Sequence, residues 1–159
     1  MEQHAPEEAV VDGVRIRQAR HHDREAMVEL LRASELPVEG LDDCWPEAFI
    51  ACAGEAVAGV AALELQEPDA VLRSVAVAAS HRGLGVGEAL VHRALEAARS
   101  RRVRDVYLLT ETAAAFFPRF GFRAAPREQA PAAILQSIEY SSLCPASAIS
   151  MVLRVGSDA

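Results

Sequence analysis

The chain has 159 residues and a mass of 17.1 kDa, which allows one sizeable hydrophobic core and is short for two domains. Its net charge of -7 argues against broad nucleic-acid binding, which depends on a basic surface. All 16 of the Lys and Arg residues are arginine. The absence of lysine excludes a Schiff-base enzyme and a standard P-loop nucleotide hydrolase, because both need a lysine amine.

The sequence predicts a protein of the cytoplasm. No run of about 18 apolar residues exists, so no membrane contact is expected. The start of the chain carries Glu2, Glu7, Glu8 and Asp12 where a secretory signal needs basic and then apolar residues. We therefore expect an acidic flexible leader over residues 1–12, one domain over 13–156 and a tail over 157–159.

The three cysteines, Cys44, Cys52 and Cys144, predict neither a disulfide framework nor a metal site. Their number is odd, and their spacing does not match that of metal ligands. A lone cysteine is usually a small packed residue. We expect reduced thiols and no bound metal.

The first half of the chain predicts a strand, a helix and then a meander of strands. Residues 14–17 alternate apolar and polar side chains as a half-buried strand does. Asp23 is placed to cap a helix that stops before Pro37, and the segment 36–43 is typical of a loop. Three apolar stretches of strand length follow, at residues 49–53, 57–65 and 71–77, with turn residues between them.

From residue 82 onwards, helices and strands alternate. A glycine-rich turn leads into a helix that ends near Ser100, and residues 106–109 form a buried strand. Residues 112–120 are expected to form a short helix, and residues 150–155 the closing strand. This order indicates an α/β (α+β) protein.

The glycine-rich turn, Arg82-Gly83-Leu84-Gly85-Val86-Gly87, is the most informative segment because it joins a strand to a helix that begins near Glu88. A helix start presents unpaired backbone N–H groups and partial positive charge, which stabilise a bound phosphate. The three glycines remove side chains that would block those groups. The segment therefore predicts a pyrophosphate site. A dinucleotide fingerprint fails here, because its last glycine would fall on Glu88.

Nearby charge agrees with an anionic ligand. Between residues 81 and 104 six arginines stand against only two acidic residues, which would attract a compact polyanion. The arginines are Arg82, Arg93, Arg99, Arg101, Arg102 and Arg104.

The turn resembles the acetyl-CoA signature of the GNAT acetyltransferases, which is Gln or Arg, two residues, Gly, one residue, and Gly or Ala. Arg82, Gly85 and Gly87 match it. The resemblance extends over residues 14–155 through the order of the elements. It implies the GNAT fold, a mixed and mostly antiparallel twisted sheet of about six or seven strands flanked by about four helices. It also implies acetyl-CoA as co-substrate.

The resemblance assigns roles to individual residues. The backbone of Val75, Ala76 and Val77 would meet the pantetheine arm, and the Val77 amide would stabilise the oxyanion on the thioester. Residues 82–88, which include Leu84 and Val86, would hold the pyrophosphate. Phe117 stands where many members have a tyrosine that protonates the leaving thiolate, and phenylalanine has no proton to give. The alternative role of the nearby phenylalanines is core packing.

Three segments, at residues 72–77, 130–134 and 141–148, resemble the arsenic-resistance-associated branch of the GNAT enzymes. The better understood enzymes of that branch acetylate amino acids that carry a phosphorus or arsenic oxyanion. Arg73 and Thr110 are then candidate acceptor-binding residues. We expect Arg73 to share a strand face with Val75 and Val77 and to pair with the oxyanion, the alternative being a structural ion pair.

These observations predict an acetyl-CoA-dependent N-acetyltransferase that acts on the primary amine of a small molecule. The alternative is a catalytically weak or inactive acyl-CoA-binding sensor or interaction protein, which Phe117 keeps open. Glu64, Glu111 and Tyr140 are possible proton carriers by residue type alone. A homodimer is among the oligomeric states that the sequence allows.

Overall fold

The computed structural model describes residues 9–143 and 146–156 of the chain. Cys144 lies outside the described residues. Within them, the eight strands of one sheet are β1 (Ala9–Val11), β2 (Val14–Gln18), β3 (Ala48–Ala53), β4 (Ala56–Gln66), β5 (Asp69–Val77), β6 (Asp105–Thr110), β7 (Arg123–Ala124) and β8 (Ile149–Arg154). The helices described are α1 (Arg24–Ala33), α2 (Val86–Ser100) and α3 (Ala132–Leu135), with a π-helical turn at Glu139–Leu143.

The sheet confirms the predicted class, a mixed and mostly antiparallel architecture. Its strand order is β1-β2-β3-β4-β5-β6-β8-β7, and β5 and β6 form the one parallel pair of neighbours among these strands. The eighth strand exceeds the six or seven expected because β1 and β7, of three and two residues, are too short for a periodic pattern to show.

The first hairpin extends the sheet into residues that were expected to belong to the acidic leader. β1 pairs with β2 through Val11 and Val14 across a two-residue turn. That turn is Asp12-Gly13, and both residues have positive φ, at 48° and 78°. Two positive φ values are typical of the tight turn that matches the twist of a hairpin. Residues 9–11 are therefore part of the sheet.

The helix expected over residues 112–120 is wrong in length. Only Phe117–Phe120 is helical, as a 3-10 turn. Thr110 Oγ1 accepts a hydrogen bond from the Ala113 amide at 3.0 Å, which favours a turn at the start of this segment. Gly121, at a φ of 102°, ends the helical turn.

The core has two main layers, one on each face of the sheet. α2 covers one face, where Leu90, Ala94 and Leu95 pack against Phe49 and Leu63. α1 covers the other face, where Met27 and Leu31 pack with Ile50, Val60 and Ala62. In β3, Phe49 packs on the first face and Ile50 on the second. Because both faces of this strand are covered, its successive residues are apolar. A smaller cluster of Val71, Ala130, Ile134 and Tyr140 lies where β5 and β6 are paired.

α1 starts at a partly buried ion pair. Asp23 occupies the expected N-cap position, yet its carboxylate makes no capping bond. It accepts two hydrogen bonds from the Arg17 guanidinium, at 2.8 and 3.1 Å, and one from the Arg20 amide at 2.8 Å. The Arg17 guanidinium is the largest influence that holds the pKa of Asp23 below its ordinary value. β2 is thereby fixed to the start of α1.

Replacement of this carboxylate tests its contribution. Asp23→Asn should lower the free energy of unfolding at pH 7 by about 1.5–3 kcal/mol, the size of a charge-assisted hydrogen bond. Since the folded-state pKa is depressed, this stabilisation is present above the unfolded-state pKa of about 3.9 and is lost as the pH falls through the folded-state pKa. The wild-type protein and Asp23→Asn should therefore differ less in their free energy of unfolding, measured with urea, as the pH falls from 7 to 3. Asp42→Asn, which removes the exposed partner of Arg24, should change stability little. A difference that stays constant with pH would contradict this account.

Candidate active site

A cleft opens between β5 and β6. The two strands pair only through Ala70 with Val106 and Val71 with Tyr107, and they separate toward Val77 and Thr110. The resulting cavity has a volume of about 1020 Å³. We call the paired side of this cleft its closed end. We call the side at the glycine-rich turn its open end.

The cavity wall contains most of the residues that the sequence singles out. It includes residues 72–77, 85–88 and 108–113, the two phenylalanines Phe116 and Phe117, and Arg82 with Gly83. Leu84 is not part of the wall, and its side chain is exposed. One long cavity thus brings the glycine-rich turn, β5, Phe117, Arg73 and Thr110 together.

The glycine-rich turn has the backbone that a phosphate cradle requires. Gly83 and Gly85 have φ values of 79° and 85°, and Gly85 is the N-cap residue of α2. A side chain at Gly87 would reach Val77 Cγ2 at 3.3 Å and Phe116 at 3.6 Å, so glycine keeps this part of the cleft open. The Arg82 Nε donates a hydrogen bond to the Val77 carbonyl oxygen at 3.1 Å, which ties the turn to the end of β5.

β5 contains a bulge that changes which side chains face the cleft. Ala62 lies opposite Arg73 and Val60 lies opposite Ala76, so the single residue Ala61 faces both Ser74 and Val75. Ser74 has a φ of 59°, a conformation that is uncommon for residues other than glycine.

The expected face of Arg73 is therefore wrong. Val75 and Val77 pack on the side of α2, as Leu72 does, whereas Ala76 packs on the side of α1. Arg73 lies opposite Ala62, which belongs to the α1 side. The extra residue at Ser74 shifts the alternation by one position, so Arg73 does not share a face with Val75 and Val77.

Arg73 is buried in a cluster of ions and backbone groups. Its guanidinium Nη2 donates to the Glu39 carbonyl oxygen at 2.6 Å, and its Nε donates to Ser74 Oγ at 3.1 Å. Nη1 lies 3.7 Å from Glu64 Oε1, and Nε lies 3.5 Å from Glu139 Oε2. The side chain has 0% exposure. These contacts favour the alternative role, a structural ion pair, over an anchor for an anion.

Glu139 is the site residue that the sequence analysis missed. It follows α3, it is buried, and it lines the cavity beside Arg73. The neighbouring Tyr140 fixes its turn, because the phenol donates to the Leu108 carbonyl oxygen at 2.9 Å and contacts Ser150 Oγ at 2.8 Å. Tyr140 is thus a packed residue that joins this turn to β6 and β8. No local pattern marks Glu139, since its partners are distant in sequence.

Phe117 and Thr110 form part of the wall opposite β5. The Phe117 ring is buried and packs edge to face on Phe116 and Phe122, with centroid distances of 5.1 and 5.8 Å. Thr110 ends β6, and its hydroxyl is engaged by the Ala113 amide. This packing agrees with a role for Phe117 in the core. Because Phe117 also lines the cavity, it would lie beside a ligand bound in the cleft.

The described cysteines do not form a reactive or metal-binding group. Cys44 is buried, and this burial raises its pKa to about 12, so it is a neutral thiol at pH 7. The Cys52 Sγ atom lies 3.8 Å from Arg17 Nη2. Within residues 9–143 and 146–156, no group of His, Cys, Asp and Glu has the arrangement of a metal site. Over the same residues, none of the helices is long and apolar enough to cross a membrane.

Comparison with sequence families finds one match. Residues 15–122 match the model of the acetyltransferase (GNAT) family, and they comprise more than half of the chain. The comparison with curated proteins finds no significant match.

Comparison with solved structures finds the same fold in several proteins. N-acetylglutamate synthase from Neisseria gonorrhoeae, complexed with coenzyme A and N-acetyl-glutamate, has a TM-score of 0.77 at 23% identity. The match covers 91% of this chain and 35% of the synthase, so this chain spans about a third of that enzyme's length. Rv2747 from Mycobacterium tuberculosis, in complex with CoA and NLQ, has a TM-score of 0.73 at 26% identity and covers 87% of this chain and 98% of its own. The ribosomal-protein-S18-alanine N-acetyltransferase from Escherichia coli has a TM-score of 0.70 at 17% identity, with coverages of 92% and 96%.

Substitution of Gly85 tests the glycine-rich turn. Gly85→Ala adds a methyl group that meets only Val11 Cγ2, at 3.9 Å, but it imposes a side chain on a positive φ. We expect a loss of about 1–2 kcal/mol in stability from the backbone and, in addition, a loss of at least about tenfold in CoA affinity. Gly54→Ala is the matched control, because Gly54 also has a positive φ with open space around it and lies in a hairpin turn outside the cavity. Calorimetric titration with CoA should show weaker binding by Gly85→Ala than by Gly54→Ala. Equal affinities in the two folded variants would contradict a CoA site at the glycine-rich turn.

Proposed function

Because the chain belongs to the acetyltransferase (GNAT) family, we propose that it transfers an acetyl group from acetyl-CoA to the primary amine of a small molecule. The observation that carries the proposal is the position of the glycine-rich turn. It lies at the start of α2 and on the wall of a cleft between two separated strands. A pyrophosphate at this turn would place the rest of the cofactor beside the end of β5.

Charge at the open end supports a polyanionic cofactor. Four basic residues line the cavity, and three of them lie at or beside the glycine-rich turn: His81, Arg82 and Arg119. Arg119 donates to the Phe116 carbonyl oxygen and comes within 4.0 Å of Glu88, at the first turn of α2. The start of α2 adds its backbone N–H groups to this field.

The proposed reaction is direct attack on the thioester. The acceptor loses a proton to solvent, its nitrogen attacks the carbonyl carbon, and a C–N bond forms as the C–S bond breaks. CoA leaves as a thiolate and takes up a proton from solvent, while the nitrogen releases its second proton. In this proposal the Val77 amide donates a hydrogen bond to the developing oxyanion, and the backbone of Val75 and Ala76 holds the pantetheine arm.

Phe117 supports a second candidate, a CoA-binding protein with weak or no catalysis. Its ring provides no proton for the leaving thiolate. A thiol has a pKa of about 8.5, however, so the thiolate is a tolerable leaving group near neutral pH without an acid. We therefore favour an enzyme that uses water in place of the tyrosine.

An assay for released CoA decides between the two candidates. Protein and acetyl-CoA are incubated with a panel of primary amines and a thiol reagent. Release of CoA that depends on both an amine and the protein supports the enzyme. CoA binding by calorimetry without release by any amine would support the binding protein instead.

The narrower acceptor, an amino acid with a phosphorus or arsenic oxyanion, stays a prediction of the sequence resemblance. Its supporting residue was Arg73, whose guanidinium is engaged by Glu39, Ser74, Glu64 and Glu139. Phosphinothricin and an arsenical analogue therefore belong in the amine panel. Turnover of these compounds above that of simple amines would support this class.

Replacement of Phe117 tests the role of water. Phe117→Tyr should retain or raise kcat, because the new phenol would supply a proton from the cavity wall, and well-placed acid groups contribute about 10²–10⁴-fold. Phe120→Tyr is the control, since Phe120 packs in the same aromatic group but does not line the cavity. Steady-state kcat and the KM for acetyl-CoA are the measurements. A fall in kcat of more than about tenfold in Phe117→Tyr alone would show that the apolar ring itself is required.

A further inference from the structure

The cavity between β5 and β6 reaches both faces of the sheet. On the α2 side its wall contains Val75, Val77 and Phe117, which pack in the same core layer as α2. On the other side its wall contains residues 34–37, which directly follow α1 and which we call the α1-side wall; Leu36 packs in the layer of α1. The glycine-rich turn belongs to the α2 side, because α2 begins in it. A cofactor held at that turn would leave the α1 side of the cavity for a second ligand.

Arg73 joins four segments around the α1 side of the cavity. Its Nη2 donates to the Glu39 carbonyl oxygen at 2.6 Å, in the connection that follows the α1-side wall. Its Nε donates to Ser74 Oγ at 3.1 Å, on β5 itself. The guanidinium also lies 3.7 Å from Glu64 on β4 and 3.5 Å from Glu139 on the π-helical turn. One buried side chain therefore holds the connection after α1 and the π-helical turn against the sheet.

The chain after the α1-side wall lies so close to Arg73 that a side chain at Gly40 would collide with it. Gly40 has a φ of 85°, and a Cβ there would lie 2.6 Å from Arg73 Nη1 and 2.7 Å from Ile138 Cγ2. Within the described residues Nη1 makes no hydrogen bond, so the guanidinium is held through Nε and Nη2. Because the Arg73 side chain has 0% exposure, it cannot move aside without disturbing its bonds to Glu39 and Ser74.

We propose that Arg73 is a positioning residue for the acceptor, because it holds the α1-side wall and the π-helical turn in place without touching the acceptor itself. This inference rests on the proposed function, since it puts the acceptor on the α1 side of the same cleft. A wall held by Arg73 affects every acceptor whatever its charge, whereas an anion anchor would affect only acidic acceptors. A misplacement of about 1 Å in a substrate can cost about 100-fold in rate, so a small shift of this wall is measurable.

Substitution of Gly40 tests the inference without changing a cavity residue, because Gly40 is not part of the cavity wall. Gly40→Ala should displace Arg73 and raise the KM for the amine by about tenfold or more. The KM for acetyl-CoA should stay unchanged, since the glycine-rich turn lies on the other side of the sheet. Gly54→Ala also puts a side chain on a positive φ, but in open space, and should change neither KM. An unchanged KM for the amine in folded Gly40→Ala, or an equal rise in both KM values, would overturn the inference.

Arg73→Lys separates positioning from direct binding of an anion. Lysine keeps the positive charge but loses the planar fork that bonds Glu39 and Ser74. We expect the KM values for alanine and for alaninamide to rise by the same factor, about tenfold. A larger rise for alanine, which carries the carboxylate, would show that Arg73 binds the acceptor directly, and unchanged values would show that the charge alone suffices. Each of these two results would contradict the inference. If Arg73→Lys does not fold, Gly40→Ala is measured with the same two amines.

Failure of the inference is distinguishable from failure of the proposed function. If no amine of the panel releases CoA, the proposed enzyme is wrong. Alanine and alaninamide are then titrated by calorimetry into the wild-type protein, Gly40→Ala and Gly54→Ala, each saturated with CoA. Binding that is weakened only in Gly40→Ala would still support an acceptor site held by Arg73. Equal binding by the three proteins, or binding by none of them, would show that the inference is wrong.

Discussion

The extra residue in β5 determines how the cleft is built. With Ser74 and Val75 both opposite Ala61, the strand turns Val75 and Val77 toward α2 and the cavity. The same shift sends Arg73 to the side of α1, where it reaches Glu39, Glu64 and Glu139. A regular strand would place Arg73 among the valines. The bulge therefore places Arg73 on the opposite face of the sheet from Val75 and Val77.

Side-chain hydrogen bonds fasten the segments that flank both ends of the cleft. At the open end, Arg82 holds the glycine-rich turn to the Val77 carbonyl oxygen. At the closed end, Tyr140 spans from its own turn to the Leu108 carbonyl oxygen and Ser150. The strands diverge between these two attachments. Three of the four basic residues on the cavity wall, His81, Arg82 and Arg119, lie at the open end, which suits an anionic cofactor.

Local sequence signals predicted the parts of the molecule that depend on neighbouring residues. The glycine pattern at residues 82–87 identified a strand–turn–helix unit, and α2 begins within it. The Asp12-Gly13 turn carried a hairpin signal, but the acidic residues before it favoured a leader. The bulge at Ser74 has no such signal, because serine is common on ordinary strands and the register is set by β4. Glu139 and Arg73 are 66 positions apart by their numbers, and only the folded sheet brings them together.

The attachment of the Glu139 turn through one phenol has an evolutionary consequence. One part of the cleft is formed by β5 and the start of α2, while Glu139 reaches it from a later segment that Tyr140 fastens to β6 and β8. Substitutions in that segment can change the shape of the closed end while the glycine-rich turn stays unchanged. The proposed cofactor site and the closed end of the cleft can thus change independently, because separate segments of the chain form them.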